Sequence, residues 1–344
     1  MGLDKWMGEI DDNVRLSELV MPGSHDACMY KVRSGSGSKV AKTVTQFLTI
    51  KQQLNIGTRF FDIRVYKDGQ TLRPGHFIKK DKSDWFGSYG PEFSNVMRDL
   101  QDFMESSTEE VVIIKFSTSK AAHDDAIRMI EYELSDFLFT SRAPRNLADM
   151  KLGNLRGKIL GVFDAEEGRR GGLQLVSKKT PTADKHFDQP RSMLWLNGDA
   201  PQCNNIRKVM EKQNEKRKAQ DQVLLAPHLE MFYLTITAGV RDVFAGHTSI
   251  VDNTSREFGL RPIERNRPDP EYSPYGGWGG DAAEAYGRYV DAVQGDNDVN
   301  VFMYDFVNED VNRMLIGRNI PTEGSVNHDD IRIAVSDSHS GRRR

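Results

Sequence analysis

This sequence predicts an α/β fold built as a single irregular (β/α) barrel of the TIM type, and three observations carry that prediction. Apolar runs with strand-like alternation take turns with helical stripes along most of the chain, without an internal repeat. A length of 344 residues suits one such barrel with insertions. Finally, the residues able to carry chemistry, His25, Arg64, Lys115 and Asp305, fall at or near the ends of strand-like runs. Barrels of this type build their sites there.

In chain order, residues 16–26 form a short apolar run followed by Pro22-Gly23 and Ser24-His25-Asp26, a first strand whose end presents His25. Residues 44–55 carry Val44, Phe47, Leu48 and Leu54 at helical spacing, with Gly57 as a C-terminal stop. They feed a strand over 58–66, in which Phe60, Asp62, Arg64 and Tyr66 share one face and Phe61, Ile63 and Val65 the other. Lys67-Asp68-Gly69 is turn chemistry, and the returning chain delivers His76 after Pro74-Gly75. Taken alone, this stretch reads equally well as an edge hairpin with an ordinary Asp/Arg pair.

Residues 91–106 predict a second helix through the stripe Phe93, Val96, Met97, Leu100, Phe103 and Met104. In the next strand, 111–117, Lys115 shares a face with Val111 and Ile113, so it either snorkels or functions. A helix over 125–138 and a strand over 158–163 follow. Apolar runs at 193–196 and 229–237 flank a charged helix over 206–222, whose Lys and Arg read as a solvated face. Between 253 and 280, Pro, Gly, Arg and aromatic residues argue a long irregular loop. Its Tyr272, Tyr275 and Trp278 either seat at a lipid interface or pack on the barrel rim. A helix over 281–293 precedes the last strand, 299–306, in which Val299, Val301, Met303 and Asp305 share a face. The barrel thus occupies residues 1–320 with about seven strands, and 321–344 form a polar, flexible tail.

Composition narrows the function classes. The 47 basic and 50 acidic residues leave a formal charge of −3, which is no footprint for nucleic acid. Two cysteines, Cys28 and Cys203, make no disulfide framework and fit free thiols in a reducing compartment. The first residues carry neither a charged n-region nor an apolar h-region, and no run has the apolar length of a membrane span. Trp6 stands where a myristoylation signal prefers Ser or Thr, which argues against lipidation at Gly2. The expectation is a cytoplasmic monomer whose contact with membrane is peripheral.

Two histidines, an arginine and several carboxylates suit cleavage of a phosphodiester by a neighbouring hydroxyl. That reaction needs a base for the attacking hydroxyl, an acid for the leaving alkoxide and positive charge on the non-bridging oxygens. Imidazole serves both proton roles because it titrates near neutrality. The stretches LSELVMPGSHDA, VTQFLTIKQQLNIGTRFFDIRVY, Gly75-His76, EEVVIIKFS, LRGKIL and VFMYDFVNED together resemble the X-type catalytic domain of phosphatidylinositol-specific phospholipases C, in the order and spacing of its single-domain forms.

The resemblance implies a TIM-type barrel and a role for each matching residue. His25 would be the general base, paired with Asp305, and His76 the general acid, with Asp26 as its partner. Arg64 would clamp the phosphate, Asp62 would orient the cluster, and Lys115 and Asp199 would bind substrate. Calcium-dependent members carry acidic ligands at the positions of both Asp62 and Arg64. Here a fixed cation replaces the second, which implies no metal and no other cofactor. The implied reaction gives diacylglycerol and a 1,2-cyclic inositol phosphate from a phosphatidylinositol-type phospholipid at a membrane surface. Two departures touch headgroup recognition: Asp164 stands where secreted bacterial members have an arginine, and no tyrosine lies near Asp199. Two rival readings are another phosphodiesterase, such as a glycerophosphodiesterase, which would need a carboxylate metal site, and a non-catalytic binder of inositol phosphates or membranes, which would need no acid-base pair.

Overall fold

In the computed structural model, which describes residues 2–33, 43–79, 85–140, 145–164, 176–178, 194, 196–198, 200, 205–220, 227–236, 250–264, 275–294 and 299–320, a parallel sheet follows the chain around an apolar interior. β1 (Met21–Ser24) pairs with β2 (Phe60–Asp68). Beyond β2 stand β5 (Val111–Thr118), β6 (Lys158–Asp164) and β7 (Val176–Lys178). On the other side of β1 stand β12 (Val301–Tyr304), β9 (Leu229–Leu234) and β8 (Leu196–Asn197). Every pairing along this path is parallel. β3 (Thr71–Lys79) and β4 (Trp85–Tyr89) form an antiparallel hairpin on β2, completing a ten-stranded sheet. The eight parallel strands succeed one another in sequence order, from β1 out to β7 and from β8 back to β12, as in a (β/α) barrel. β7 and β8 do not pair with each other among the described residues, so the ring has a seam there.

Strand alternation sorts the two faces. Met21, Phe60, Val111, Ile113, Leu160, Val162, Leu196, Leu229, Met231, Val301 and Met303 form one inner core with Trp6, Met7, Leu16, Leu147 and Leu152, which plug the N-terminal end. A single cluster drawn from β6 round to β8 requires the sheet to curl on itself. Outside it, Phe61, Ile63, Val112 and Ile114 pack on α1 (Ile50–Asn55), α2 (Phe93–Ser106) and α3 (His123–Glu133). On the opposite wall Phe232, Leu234, Phe302 and Tyr304 pack on α4 (Ile206–Gln220), α5 (Ile250–Phe258), α6 (Ala282–Gln294) and α7 (Glu309–Ile316). All six apolar residues of the α2 stripe are buried.

Several expectations need correction. The helix expected over 44–55 begins only at Ile50, because Thr49 and Gln52 close a reciprocal capping box. The preceding residues instead run over the loop after β1, with Thr45 N donating to Met29 O at 3.2 Å. The 125–138 helix starts at His123 and stops at Glu133, and Leu138 bridges to Ile159. The first strand begins at Met21, since Leu16–Glu18 is a single 3-10 turn. Within the stretch expected as a long irregular loop over 253–280, described residues form the end of α5 and a two-stranded ribbon, β10 (Arg261–Glu264) with β11 (Tyr275–Gly279). Within it Trp278 packs edge-on to Phe47 and Phe306, which is the packing alternative. Asp199, Tyr272, Cys203 and the 321–344 tail lie outside the described residues. Cys28 is a buried free thiol.

Candidate active site

The loop leaving β1 carries His25 and Asp26 and is fixed by its neighbours. His25 O accepts from Gln46 Nε2 at 2.9 Å, Asp26 O accepts from Thr45 Oγ1 at 2.9 Å, and Ala27 N donates to Asp62 O at 2.9 Å. Asp26 adopts φ +41°, a conformation that a short polar side chain tolerates better than most. Asp305 follows β12 directly, and its Oδ1 lies 2.8 Å from His25 Nδ1. That contact fixes a proton on Nδ1 and leaves Nε2 as the proton acceptor. Behind Asp305, Tyr286 donates its hydroxyl to the Asp305 carbonyl at 3.3 Å.

β2 supplies the cationic side. Asp62 and Arg64 share its inner face with Phe60, and Arg64 Nη2 lies 3.0 Å from Asp62 Oδ2. Arg64 Nε lies 3.0 Å from Asp26 Oδ1, and its Nη2 is 3.4 Å from His25 Nε2. Lys115 pairs with Asp62 in strand register and brings Nζ to 3.4 Å from Asp62 Oδ1. From β3, His76 Nδ1 reaches 3.2 Å from Asp26 Oδ2. Asp26 thus stands between Arg64 and both imidazoles, with His25 Nε2 at 3.6 Å. His25, Asp26, Asp62, His76 and Asp305 are all buried, whereas the Arg64 side chain remains 30% exposed toward the mouth.

Burial and charge act in opposite directions here. Burial alone would keep His25 neutral, but Asp26 and Asp305 outweigh it and raise its pKa. Burial prevails at His76 and lowers its pKa despite Asp26. At Asp62 burial is overcome by Lys115 and Arg64, so the carboxyl stays well below the usual range. The same carboxylates overcome burial at Arg64 and Lys115 and hold both cations charged. Asp305 is pushed up by burial, against the pull of His25. Three carboxylates face two fixed cations, so one proton shared between the imidazoles balances the cluster.

The structure therefore gathers His25, Asp26, Asp62, Arg64, His76, Lys115 and Asp305 at the C-terminal ends of β1, β2, β5 and β12 and on the adjoining hairpin. Donor atoms of His25, Asp26 and Asp62 lie within 4.8 Å of one another, close enough for a metal. Arg64, however, already contacts both of those carboxylates. Sequence reasoning missed Tyr233, whose ring stands edge-on to His25 at 6.0 Å between centroids. It also missed Gln46, which bridges His25 O and Val307 N. Alternation in the β9 run already aligned Tyr233 with Met231 on the inner face, but nothing there separated it from core aromatics.

No family model matches the chain. Curated relatives do. The 1-phosphatidylinositol phosphodiesterase of Listeria monocytogenes is 23% identical over 240 residues, covering 68% of this chain and 70% of that protein. That of Staphylococcus aureus is 40% identical over 181 residues, covering 51% of this chain and 53% of its own. PI-PLC X domain-containing protein 2 of Mus musculus is 29% identical over 136 residues, 33% of this chain and 38% of that one. Among solved structures, the phosphatidylinositol-specific phospholipase C from Listeria monocytogenes aligns with TM-score 0.59 at 15% identity, over 94% of this chain and 100% of that one, a likeness of fold. The chain thus shares its barrel topology with that solved structure and is similar in sequence to 1-phosphatidylinositol phosphodiesterases and to a PI-PLC X domain-containing protein.

Proposed function

We propose that the protein is a phosphatidylinositol-specific phospholipase C that cleaves its lipid by intramolecular transfer to the inositol 2-hydroxyl. His25 Nε2 takes the proton of that hydroxyl, whose oxygen forms a new bond to phosphorus. The bond from phosphorus to the glycerol oxygen breaks, and His76 donates a proton to that oxygen. The products are diacylglycerol and a 1,2-cyclic inositol phosphate. Asp305 holds His25 in the required tautomer and stabilises its charged form as the proton arrives. Arg64 faces the non-bridging oxygens, where a fixed cation does the work of a bound metal. Asp62 anchors Arg64 and Lys115 together, and Lys115 with Asp199 would contact the headgroup.

The observation that carries this reading is the buried His25–Asp305 pair at 2.8 Å, set against Arg64 and a second imidazole held by Asp26. A mere binder has no use for two imidazoles with separate carboxylate partners. In this reading the monomer works in peripheral contact with a membrane surface. Residence of the substrate in a bilayer supports the contact, and the scarcity of cysteine supports a reducing, cytoplasmic setting. No helix among the described residues is long and apolar enough to cross a membrane.

Turnover of phosphatidylinositol vesicles in excess chelator, followed by phosphorus NMR, tests the proposal. A cyclic phosphate formed by the native chain in chelator and lost in His25→Ala is expected. Activity that disappears with chelator and returns with a divalent cation would replace Arg64 by a metal in the mechanism.

A further inference from the structure

Beside the histidine cluster opens a cavity of ≈ 530 Å³ that the chemistry above does not use. Strand register ties it to the site. Ser117 on β5 lies opposite Arg64 on β2, Tyr66 stands two residues beyond Arg64 on the same face, and both line the cavity. Phe77, the residue after His76, lines it as well. The cavity therefore begins where the phosphate clamp ends and abuts the strand that carries the acid.

Its walls differ in chemistry. One is a run of three rings, with Tyr66 and Phe77, then Phe77 and Tyr89, edge-to-face at 4.8 Å between centroids. Tyr89 is locked in place by its hydroxyl, which donates to Lys67 O at 3.1 Å. Burial pushes the Tyr66 phenol up to about 12, so this wall carries no charge at neutral pH. The other wall presents Ser117, Ser119 and Lys120. The hydroxyl of Thr118, between the two serines, is already taken by His123 at 2.8 Å. An apolar wall facing hydrogen-bond donors fits a ligand with methylenes on one side and acceptor-only oxygens on the other.

The acid fixes which part of the substrate that is. A proton donated by His76 goes to the leaving oxygen, so the leaving group lies toward β3, one of the strands that walls the cavity. Resting on the function proposed above, we propose that this cavity is the leaving-group subsite, which receives the glycerol and ester end of the diacylglycerol. The rings cover the first methylenes of the acyl chains, and Ser117, Ser119 and Lys120 donate to the ester carbonyls. The enzyme accordingly selects acylated over deacylated inositol phosphodiesters. Its acyl preference saturates with short chains, because the cavity has room only for the chain roots.

The test compares kcat/KM for short-chain phosphatidylinositol, dispersed below its micelle concentration, with kcat/KM for glycerophosphoinositol. The native protein is expected to favour the acylated substrate by about 10-fold or more. Tyr89→Ala and, separately, Lys120→Ala, an exposed side chain whose loss disturbs no packing, are expected to reduce that ratio by roughly 10-fold and 3-fold. Equal native turnover of both substrates, or a ratio that neither variant changes, overturns the subsite while leaving the lyase intact. Turnover of neither substrate overturns the lyase and the subsite with it.

Discussion

Asp26 lies within reach of three groups that move or hold positive charge, and its position makes the two histidines a coupled pair. Such a pair titrates as a unit, and the proposed mechanism calls for one proton on it, with His25 neutral and His76 charged. Because Asp26 and Asp305 raise His25 while burial lowers His76, the resting proton sits mainly on His25. In the proposed mechanism its loss defines the alkaline limb of activity. Asp305→Asn removes one of the charges that hold this proton, so the alkaline limb of kcat/KM shifts to lower pH. The same change frees the imidazole to adopt the wrong tautomer and lowers kcat by about 10² to 10⁴-fold. A pH profile of both proteins checks the direction, and an unmoved limb would separate Asp305 from the titrating pair. Arg64→Lys keeps the charge but loses the fork that spans Asp26 and Asp62. A fall of about 10² to 10³-fold in kcat, with the fold preserved by circular dichroism, is expected.

Among the elements, the β10–β11 ribbon brings Trp278 against residues far from it in the sequence. Trp278 on β11 stands edge-on to Phe306 at 5.3 Å, Phe47 stacks on Phe306 at 4.4 Å, and Trp278 and Phe47 meet each other at 5.5 Å. Phe306 adopts φ +58°, strained for an aromatic residue, and it directly follows Asp305. The two rings hold the strained residue in place and, through it, the carboxylate that faces His25. Trp278→Ala is therefore expected to lower kcat by about 10-fold with KM little changed, as a small misplacement of a catalytic partner does. Trp278→Phe should restore most of the rate, and full activity in the alanine variant would reduce the clamp to packing. Sequence reading did not find this arrangement, for physical reasons. α5 buries Asn253 and Thr254 beside Phe258, so its inner stripe is not apolar, and the ribbon strand Tyr275–Gly279 is glycine-rich. β2 and β5 were legible because burial on both faces makes them largely apolar runs, and the period-two direction of a strand aims Asp62, Arg64 and Lys115 inward together. The start of α1 was misplaced because the apolar spacing of residues 44–48 resembles a helix, whereas the reciprocal Thr49/Gln52 box starts the helix at Ile50.

Taken whole, the barrel order was readable because each long strand is followed by its own helix or loop, whereas β7 and β8 at the seam are too short to carry a pattern. Equally invisible was the polar device that closes the floor. Arg59 and Glu110 meet at 2.7 Å with no solvent exposure on either side chain. Arg59 also donates to the carbonyls of Leu54, Thr58, Leu3 and Asp4, while Glu110 accepts from the backbone of Met7 and Gly8. The pair thus ties the N-terminal plug to the start of β2 and β5. Burial lowers the Arg59 pKa and raises that of Glu110 despite their mutual attraction, so the pair is not a source of surplus stability. Its value lies in what happens when half is removed. Glu110→Gln leaves a buried guanidinium without its counter-charge and is expected to cost about 3–5 kcal/mol in urea unfolding. Arg59→Met with Glu110→Leu removes both charges and should recover much of that loss, although the plug then forfeits its backbone anchors. Because the pair lies at the end of the barrel opposite the histidines, kcat of either variant at low temperature should stay near native. A loss of kcat that exceeds the loss of folded protein would instead mean that the floor sets the geometry of the mouth.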